Sequence, residues 1–498
     1  MRRKLRHSHR RPTKPQHVVV RKSLEVTRAL LITLGLLIVT GAVLASPNVV
    51  LIISDDQTYR DFGFMGNKSV HTPHLDKLAS QSAFFPNGYV PSSVCSPSLT
   101  TILTGLYPHQ HGIHFNHPPP GNSAFNKMKS RAEYEHTRNR SFYLIKSVDT
   151  LPRLLAEQGY KCLQTGKFWE GHYRNAGFTD GMTLFRPVPG QRFGGNRRLA
   201  NGQMAAHGNG DWGLKIGRET MQPIYDFVDT HAGKQPFFIW YAPYLPHQPH
   251  DSPRKYFERY QGNPKVPEHY VPYYAAISQF DDTVGDIVSY VEKKGLAGNT
   301  LFVFVVDNGW TPSTLRHKAM KNFFQRTKES KRSPFEDGLR TPILFRWDKH
   351  IAPARHELLC SSIDLAPTLL HMTGQSQKAN ALPGINLLDA DARRRHADRA
   401  VFGEIYPGDA ASLGHPSLDV AYRWVRQGNF KLILPQGDNP WGNYLNKPAL
   451  FNLARDPGEK DNLYHQASSK ARVKAMRRQL DKWWTPGDDT AVPKPPAN

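Results

Sequence analysis

Three uninterrupted apolar runs constrain this chain more than any other feature. They are Asn48-Val-Val-Leu-Ile-Ile-Ser54, Pro236-Phe-Phe-Ile-Trp-Tyr-Ala242 and Leu301-Phe-Val-Phe-Val-Val306. None alternates polar with apolar residues, so each fits a strand buried on both faces, as in a parallel sheet covered by helices. Each run also ends in a polar cluster: Asp55-Asp56, Pro246-His247-Gln248-Pro249-His250, and Asp307-Asn308-Gly309. In open α/β sheets ligands collect outside the carboxyl ends of parallel strands. If the three strands are neighbours, Asp55, Asp56, Asp307 and Asn308 converge there.

A fourth stretch gives that convergence a chemical focus. Residues 94–105 read VCSPSLTTILTG. Pro97 suits a first helical turn, where its missing N–H has no partner to lose, and Gly105 suits the stop. Cys95 is therefore expected directly ahead of a helix start. There it faces unpaired N–H groups and the positive end of the dipole, a natural dock for an anion. Taken alone, the residue reads equally as a buried structural cysteine.

Adjacent carboxylates beside a core are costly unless a cation or hydrogen-bond donors neutralise them. Four hard oxygen donors favour Ca²⁺ or Mg²⁺, and nothing resembles the Cys or His cluster of a zinc site. Between these clusters the pattern predicts a helix over 150–159 capped by Thr150 or Asp149. A strand over 160–165 then runs into Gly166-Lys167-Phe168-Trp169. It also predicts a helix from about Tyr273 to Lys294 with Gly295 as its stop, and a strand over 343–347. The polar stretch from Gly112 to about Ser147 is expected to be a loop insertion, and Phe185 to Leu214 an irregular pocket rim.

At 498 residues the chain is long enough for one large or two unequal domains, and 39% hydrophobic with 11% aromatic residues is a globular composition. The net charge is +23. Residues 1–45 carry ten Lys or Arg and one Glu, which leaves 55 basic against 41 acidic residues, +14, for the rest. That surplus points to an anionic partner. No nucleic-acid-binding motif accompanies it, so an acidic substrate is favoured over nucleic acid. The basic region precedes an uncharged run, Ala29 to Ala45, that ends in Val43-Leu44-Ala45. Residues 1–45 thus read as a signal peptide or an N-terminal membrane anchor, and the body as exported, periplasmic or secreted. Three cysteines, Cys95, Cys162 and Cys360, leave at least one thiol outside any intrachain disulfide.

Taken together, NVVLIISDDQ, CSPS with TGLYPHQHG downstream, TGK, PHQPH, VVDNG and KRSPFEDGLRTP resemble the type I, formylglycine-dependent sulfatases of the alkaline-phosphatase-like superfamily. GNFKLIL and LFNLARDPGEKDNL resemble that family's small terminal domain, so the likeness spans most of residues 47–465. The resemblance implies an α/β fold with a large mixed, mainly parallel sheet sandwiched by helices and a smaller C-terminal α+β antiparallel-sheet domain. The implied division is 46–385 for the catalytic domain and 386–498 for the C-terminal subdomain, with Arg423–Arg426 and Phe430–Leu434 as strands. It further implies that a formylglycine-generating enzyme oxidises Cys95 to formylglycine. One geminal hydroxyl of the hydrated aldehyde would attack sulfur, and the other would later expel sulfate by C–O cleavage. Calcium, or magnesium, would be held by Asp55, Asp56, Asp307 and Asn308. Lys167 and Lys331 match the sulfate-binding lysines, and His247 the histidine that protonates the leaving oxygen. His172 and His250 are further candidates for substrate binding. The substrate would be a sulfate ester, of a small molecule or a polysaccharide.

Two departures stand out. The family's Cys-x-Pro-x-Arg has Leu99 at the arginine position, and its GKWH becomes Gly166-Lys167-Phe168-Trp169, with Trp169 for the second histidine and His172 as a substitute nearby. Leucine gives no charge to the nucleophile. A further cation is therefore expected within about 6 Å of Cys95, with Arg174 and the Arg197-Arg198 pair as candidates. Alternatives are a phosphodiesterase or phosphonate monoester hydrolase using the same site, or a non-catalytic calcium-dependent binder of sulfated polysaccharide.

Overall fold

In the computed structural model, which describes residues 46–119, 130–187, 196–206, 212–310, 330–406, 409–437 and 444–495, all three apolar runs are strands. In chain order the strands are β1 Asn48–Ser54, β2 Ala83–Tyr89, β3 Lys161–Gly166, β4 Asp180–Gly181, β5 Asn196–Arg198, β6 Met204–Ala206, β7 Phe237–Ala242 and β8 Thr300–Val306. They continue as β9 Arg340–Arg346, β10 Ala354–Arg355, β11 Cys360–Ser361, β12 Ala400–Ile405, β13 Tyr422–Gln427, β14 Phe430–Pro435 and β15 Ala449–Asn452. Nine of them form one sheet, ordered β10-β2-β9-β8-β1-β7-β3-β4, with β11 also pairing along β2. Every pairing is parallel except those of β9, which runs antiparallel to β2 and β8. The sheet is mixed and mainly parallel, with the three apolar runs side by side at its centre.

Burial explains why those runs are unbroken. Val49, Leu51 and Ile53 of β1 join Phe238, Trp240, Val303 and Val305 on one face, against the helices Cys95–Thr104, Leu151–Glu157 and Leu365–Met372. Val50 and Ile52 join Ile239, Tyr241, Phe302 and Phe304 on the other, against the helices Pro73–Ser80, Gln222–His231 and Val271–Lys293. Each such side chain contributes about 1.5–3 kcal/mol on burial, so a polar residue at any of these positions would be selected against.

The remaining strands β12-β13-β14-β15 form an antiparallel sheet. One face meets Tyr89, Val90, Phe335 and Leu339 of the larger sheet's flank, and the other is covered by the helix Lys470–Trp483. Glu404 of β12 accepts from the His109 backbone N–H at 2.7 Å and lies 2.9 Å from that histidine's Nδ1. His109 of the TGLYPHQHG stretch thus reaches this small sheet, while His111 Nε2 lies 3.3 Å from Thr101 Oγ1 on the helix that begins at Cys95. His114 lies 2.8 Å from Asp419.

Differences from expectation are local. Cys95 is the first residue of its helix, not the one ahead of it, with Val94 as the extended N-cap. The stretch expected as a loop before Ser147 contains the helices Arg131–Ser141 and Tyr143–Lys146. The first is so polar that its apolar spacing is nearly absent, yet Ser130 caps it by accepting from Glu133 N–H. Thr150, not Asp149, caps the helix Leu151–Glu157. The N-terminal segment 1–45 lies outside the described residues, and among those described no helix is long and apolar enough to cross a membrane.

Candidate active site

Strand register brings the polar clusters together. Ser54 is level with Val306, so Asp55 and Asp307 leave adjacent strands at the same height, and Asp307 N–H donates to Ser54 O at 3.0 Å. Gly166 of β3 is level with Ala242 of β7, which sets Lys167 two strands along from β1, its N–H on Ala242 O at 2.6 Å. Only glycine fits ahead of Lys167: Gly166 has φ 74°, and a Cβ there would lie 2.0 Å from Ala242 O. Asp56 takes φ 58°, an uncommon left-handed conformation that asparagine and aspartate tolerate best.

Around Asp56 the predicted residues meet. Its N–H donates to Asp307 Oδ1 at 3.1 Å, and Asn308 Nδ2 donates to its Oδ1 at 2.6 Å. Lys331 Nζ lies 2.6 and 2.7 Å from its two carboxylate oxygens, and Cys95 Sγ lies 4.0 Å from Oδ1. His247 Nε2 is 3.4 Å from Asp56 Oδ2. Lys167 Nζ pairs with Asp55 Oδ1 and lies 3.4 Å from Asp307 Oδ2. The carboxylates, Cys95 and Lys167 are closed off from solvent, whereas the Lys331 and His247 side chains keep 12% and 20% exposure. These last two are the members of the cluster that keep some exposure to solvent.

The electrostatics are those of an overcrowded anionic site. Burial raises Asp55 well above the ordinary carboxylate range, with Lys167 opposing and Asp307 and Asp56 adding to the rise. Asp307 is raised for the same reasons. Burial also works against Asp56, yet Lys331 and His247 together hold it below the ordinary range. Lys167 stays charged despite burial, because the carboxyl groups of Asp55 and Asp307 lie beside it. Burial pushes the Cys95 thiol up, against Lys167 and Lys331, so it rests as a neutral thiol. The Nδ1 of His247 is 2.7 Å from Gln248 O. A carbonyl only accepts, so Nδ1 carries a proton and Nε2 is the nitrogen turned to Asp56.

The donor set fits a metal ion. Three carboxylates face two ammonium groups, and a buried excess of negative charge calls for a cation. Ligand atoms of Asp55, Asp56, Cys95 and Asp307 lie within 4.8 Å of one another, and oxygens sharing an ion at about 2.4 Å are no further apart than about 5 Å. Asp55 Oδ2 and Asn308 Oδ1 are buried with no hydrogen-bond partner, two hard oxygens left for such an ion. The cluster could hold a metal.

Neither of the other candidates is hydrogen-bonded to this cluster among the described residues. His172 caps a turn, its Nδ1 accepting from Arg174 N–H at 3.2 Å, and its ring rests on Tyr173. His250 packs against Tyr273 with centroids 5.7 Å apart, and burial together with Arg218 lowers it to about 4, so it is neutral. Neither candidate for a further cation joins the cluster among the described residues. Arg174 lies over the Tyr173 ring at 5.6 Å, Arg198 is exposed, and the Arg197 side chain is outside the described set.

Leu99 and Trp169 instead line one small cavity with Ser96, Leu103, Phe168, Glu170 and Trp240. The two departures from the family pattern therefore meet at one cavity, where the expected arginine and histidine are replaced by apolar side chains. Sequence reading missed the polar residues at its edge. Ser96 Oγ donates to Glu170 Oε1 at 3.0 Å, and Ser96 N–H to Asn116 Oδ1 at 2.9 Å. Buried Arg138 donates to Asn116 O and Trp169 O, both at 2.9 Å. Glu170 follows directly on Gly166–Trp169 and could have been flagged from that position, whereas nothing in its local sequence marks Arg138.

Fold and site together are those of an alkaline-phosphatase-like hydrolase. Comparison with known proteins makes this narrower. The family model described as sulfatase matches residues 47–375, and one described as N-sulphoglucosamine sulphohydrolase, C-terminal, matches 327–485. N-acetylgalactosamine-6-sulfatase of Homo sapiens is 28% identical over 451 residues, covering 83% of this chain and 81% of its own. Arylsulfatase A of Bos taurus is 29% identical over 470 residues, covering 85% and 84%. Among solved structures, Ps i-CgsB in complex with k-i-k-neocarrahexaose superposes with a TM-score of 0.65 at 23% identity, covering 90% of this chain and 94% of that one. This chain belongs to the sulfatase family, whose members are sulfuric ester hydrolases.

Proposed function

We propose that this enzyme hydrolyses sulfate esters of a sulfated carbohydrate through a formylglycine formed at Cys95 and a Ca²⁺ ion held by Asp55, Asp56, Asp307 and Asn308. The observation that carries the reading is the meeting of Cys95 with these four residues at the ends of adjacent parallel strands, two of whose buried oxygens have no other partner. An all-oxygen set favours calcium, with magnesium the alternative. A bound calcium neutralises the carboxylates and polarises sulfate oxygens, while the aldehyde hydrate supplies the nucleophilic oxygen. The carbohydrate class follows the relative named for N-acetylgalactosamine 6-sulfate and the neighbour that holds k-i-k-neocarrahexaose.

The chain's own groups divide the remaining work. Lys167 and Lys331 are two fixed positive charges beside the nucleophile, poised to draw a sulfate in and to offset charge that develops on its oxygens. Lys331, partly exposed, meets the incoming anion first. His247, with Nδ1 fixed on Gln248 O, presents Nε2, 3.4 Å from Asp56 Oδ2, as the nitrogen that would carry a proton to the departing ester oxygen. The neutral Leu99–Trp169 wall excludes water behind the nucleophile helix.

Residues 46–385 act as the catalytic domain and 386–498 as the C-terminal subdomain, a division supported by the two separate sheets. Residues 1–45 direct export, as their basic and apolar composition supports, and a formylglycine-generating enzyme matures the chain. The test is sulfate release from a panel of sulfated polysaccharides and monosaccharides by matured protein, before and after chelation and calcium return. Release that chelation abolishes and calcium restores supports the reading. Binding of the same polysaccharides without release, by protein carrying formylglycine, refutes it.

A further inference from the structure

We infer that Arg218 is a positioning residue for His247, and through it for protonation of the leaving group. The inference rests on the reading of His247 as the proton donor. The loop from Tyr244 to Asp251 carries His247, and prolines at 246 and 249 leave it short of N–H groups. Such a segment builds no hydrogen-bond ladder of its own, so its carbonyls need donors from elsewhere.

One carbonyl is met by the site itself: Leu245 O accepts from Asp55 N–H at 3.0 Å. Arg218 meets three others. Its Nε and Nη2 donate to Tyr244 O at 3.0 and 2.6 Å, and Nη2 also reaches His247 O at 2.9 Å and Pro249 O at 3.2 Å. Its Nη1 pairs with the Asp251 carboxylate, at the far end of the loop. The guanidinium is 3% exposed, and its carbon lies 5.6 Å from the centroid of Tyr244, whose ring stacks on His247 at 4.2 Å. Arg218 thus holds the backbone of His247 directly and the ring against which its imidazole rests.

This loop closes around a planar fork of five donors, which a lysine ammonium cannot reproduce because its three donors leave one point. The segment before it contributes the approach: Gly217 has φ 73°, and a Cβ there would meet Tyr241 Oη at 2.7 Å. No catalytic motif marks Arg218, which stands outside every cluster read from sequence. Without it, Nδ1 of His247 would still find Gln248 O, but the carbonyls of Tyr244, His247 and Pro249 would lose the donor that gathers them behind Nε2.

General-acid assistance matters most when the departing oxygen is a poor leaving group, and that dependence separates positioning from mere support. The experiment compares matured, calcium-loaded wild type, Arg218→Lys, Asp251→Asn and His247→Gln on a series of aryl sulfates, from para-nitrophenyl to para-methoxyphenyl. Arg218→Lys is expected to lose about tenfold or more in kcat on the poorest leaving group and less than about threefold on the best. Asp251→Asn, which keeps all the carbonyl bonds and involves a partly exposed side chain, shows the same trend at smaller size and serves if Arg218→Lys does not fold. A loss by Arg218→Lys and Asp251→Asn that is equal across the series, while His247→Gln is selective, overturns the positioning role alone. A loss by His247→Gln that is itself uniform overturns the reading of His247, and the inference with it.

Discussion

Replacing Asp307 by asparagine should act on stability in opposite directions with and without calcium. The side chain keeps its shape, so the Asp56 N–H at 3.1 Å retains an acceptor, and the site loses one negative charge of three. Two unit charges about 4 Å apart interact by about 4 kcal/mol at an effective dielectric of 20, so a divalent ion loses at most about 8 kcal/mol of attraction. Desolvation of the carboxylate opposes part of this, and we take half, about 4 kcal/mol, as the net effect, or about a thousandfold in calcium affinity. In chelator the balance reverses. Burial and mutual repulsion already raise Asp55 and Asp307, so removing one carboxylate relieves both. Calorimetric titration of calcium into chelator-stripped wild type and Asp307→Asn measures the first effect, and thermal unfolding with and without calcium measures the second. The variant should be at least as stable as wild type in chelator and clearly less stable with calcium. Calcium affinity within tenfold of wild type, or a variant destabilised equally in both conditions, would refute the assignment of this cluster as the metal site.

Three further outcomes follow from the geometry. Gly166→Ala sets a Cβ against Ala242 O, the acceptor of the Lys167 N–H, and should lower turnover about a hundredfold at a stability loss of about 2 kcal/mol, measured by kinetics and denaturant unfolding. Leu99→Arg buries a charge among Phe168, Trp169 and Trp240, with the Glu170 carboxylate already engaged by Ser96, and should destabilise by about 3 kcal/mol. Adding Trp169→His should recover at least about 1 kcal/mol of that, and strict additivity in the double variant would contradict the shared cavity. Asp61, whose carboxylate accepts from Asn67 and Tyr274, is raised by burial to about 7. A folded value above the unfolded one means its stabilising contribution is full below about 4 and is lost as pH rises to about 7. Asp61→Asn should therefore gain on wild type over that window, by at most about 1.4 kcal/mol per pH unit, and a flat difference in unfolding free energy would contradict it.

Much of the site was readable because it follows from strand ends. Unbroken apolar runs such as Asn48–Ser54 require burial on both faces, and the polar residues that follow must then emerge at one edge of the sheet. Register, which one-residue spacing cannot reveal, is what sets Asp55 level with Asp307. Contacts between distant, unpatterned segments were not readable. Arg138 sits on a helix too polar to announce its inward face, and Arg218 in a segment whose meaning depends on a loop about thirty residues later. Rim loops suggested Arg174 and Arg197–Arg198 as a charge to replace the family's arginine, yet Leu99 shares a cavity with Trp169. Sequence marked both departures but not that they line one cavity.

Cys95 is buried in the fold, 4.0 Å from Asp56 and at the first turn of its helix, so its chemical state decides the account. The measurement is mass spectrometry of the peptide carrying Cys95, isolated from the native host and treated with an aldehyde-reactive probe. Formylglycine, seen as replacement of the thiol-bearing carbon by an aldehyde and as capture by the probe, is the predicted result. A Cys95 that is wholly thiol in protein that releases sulfate would contradict it.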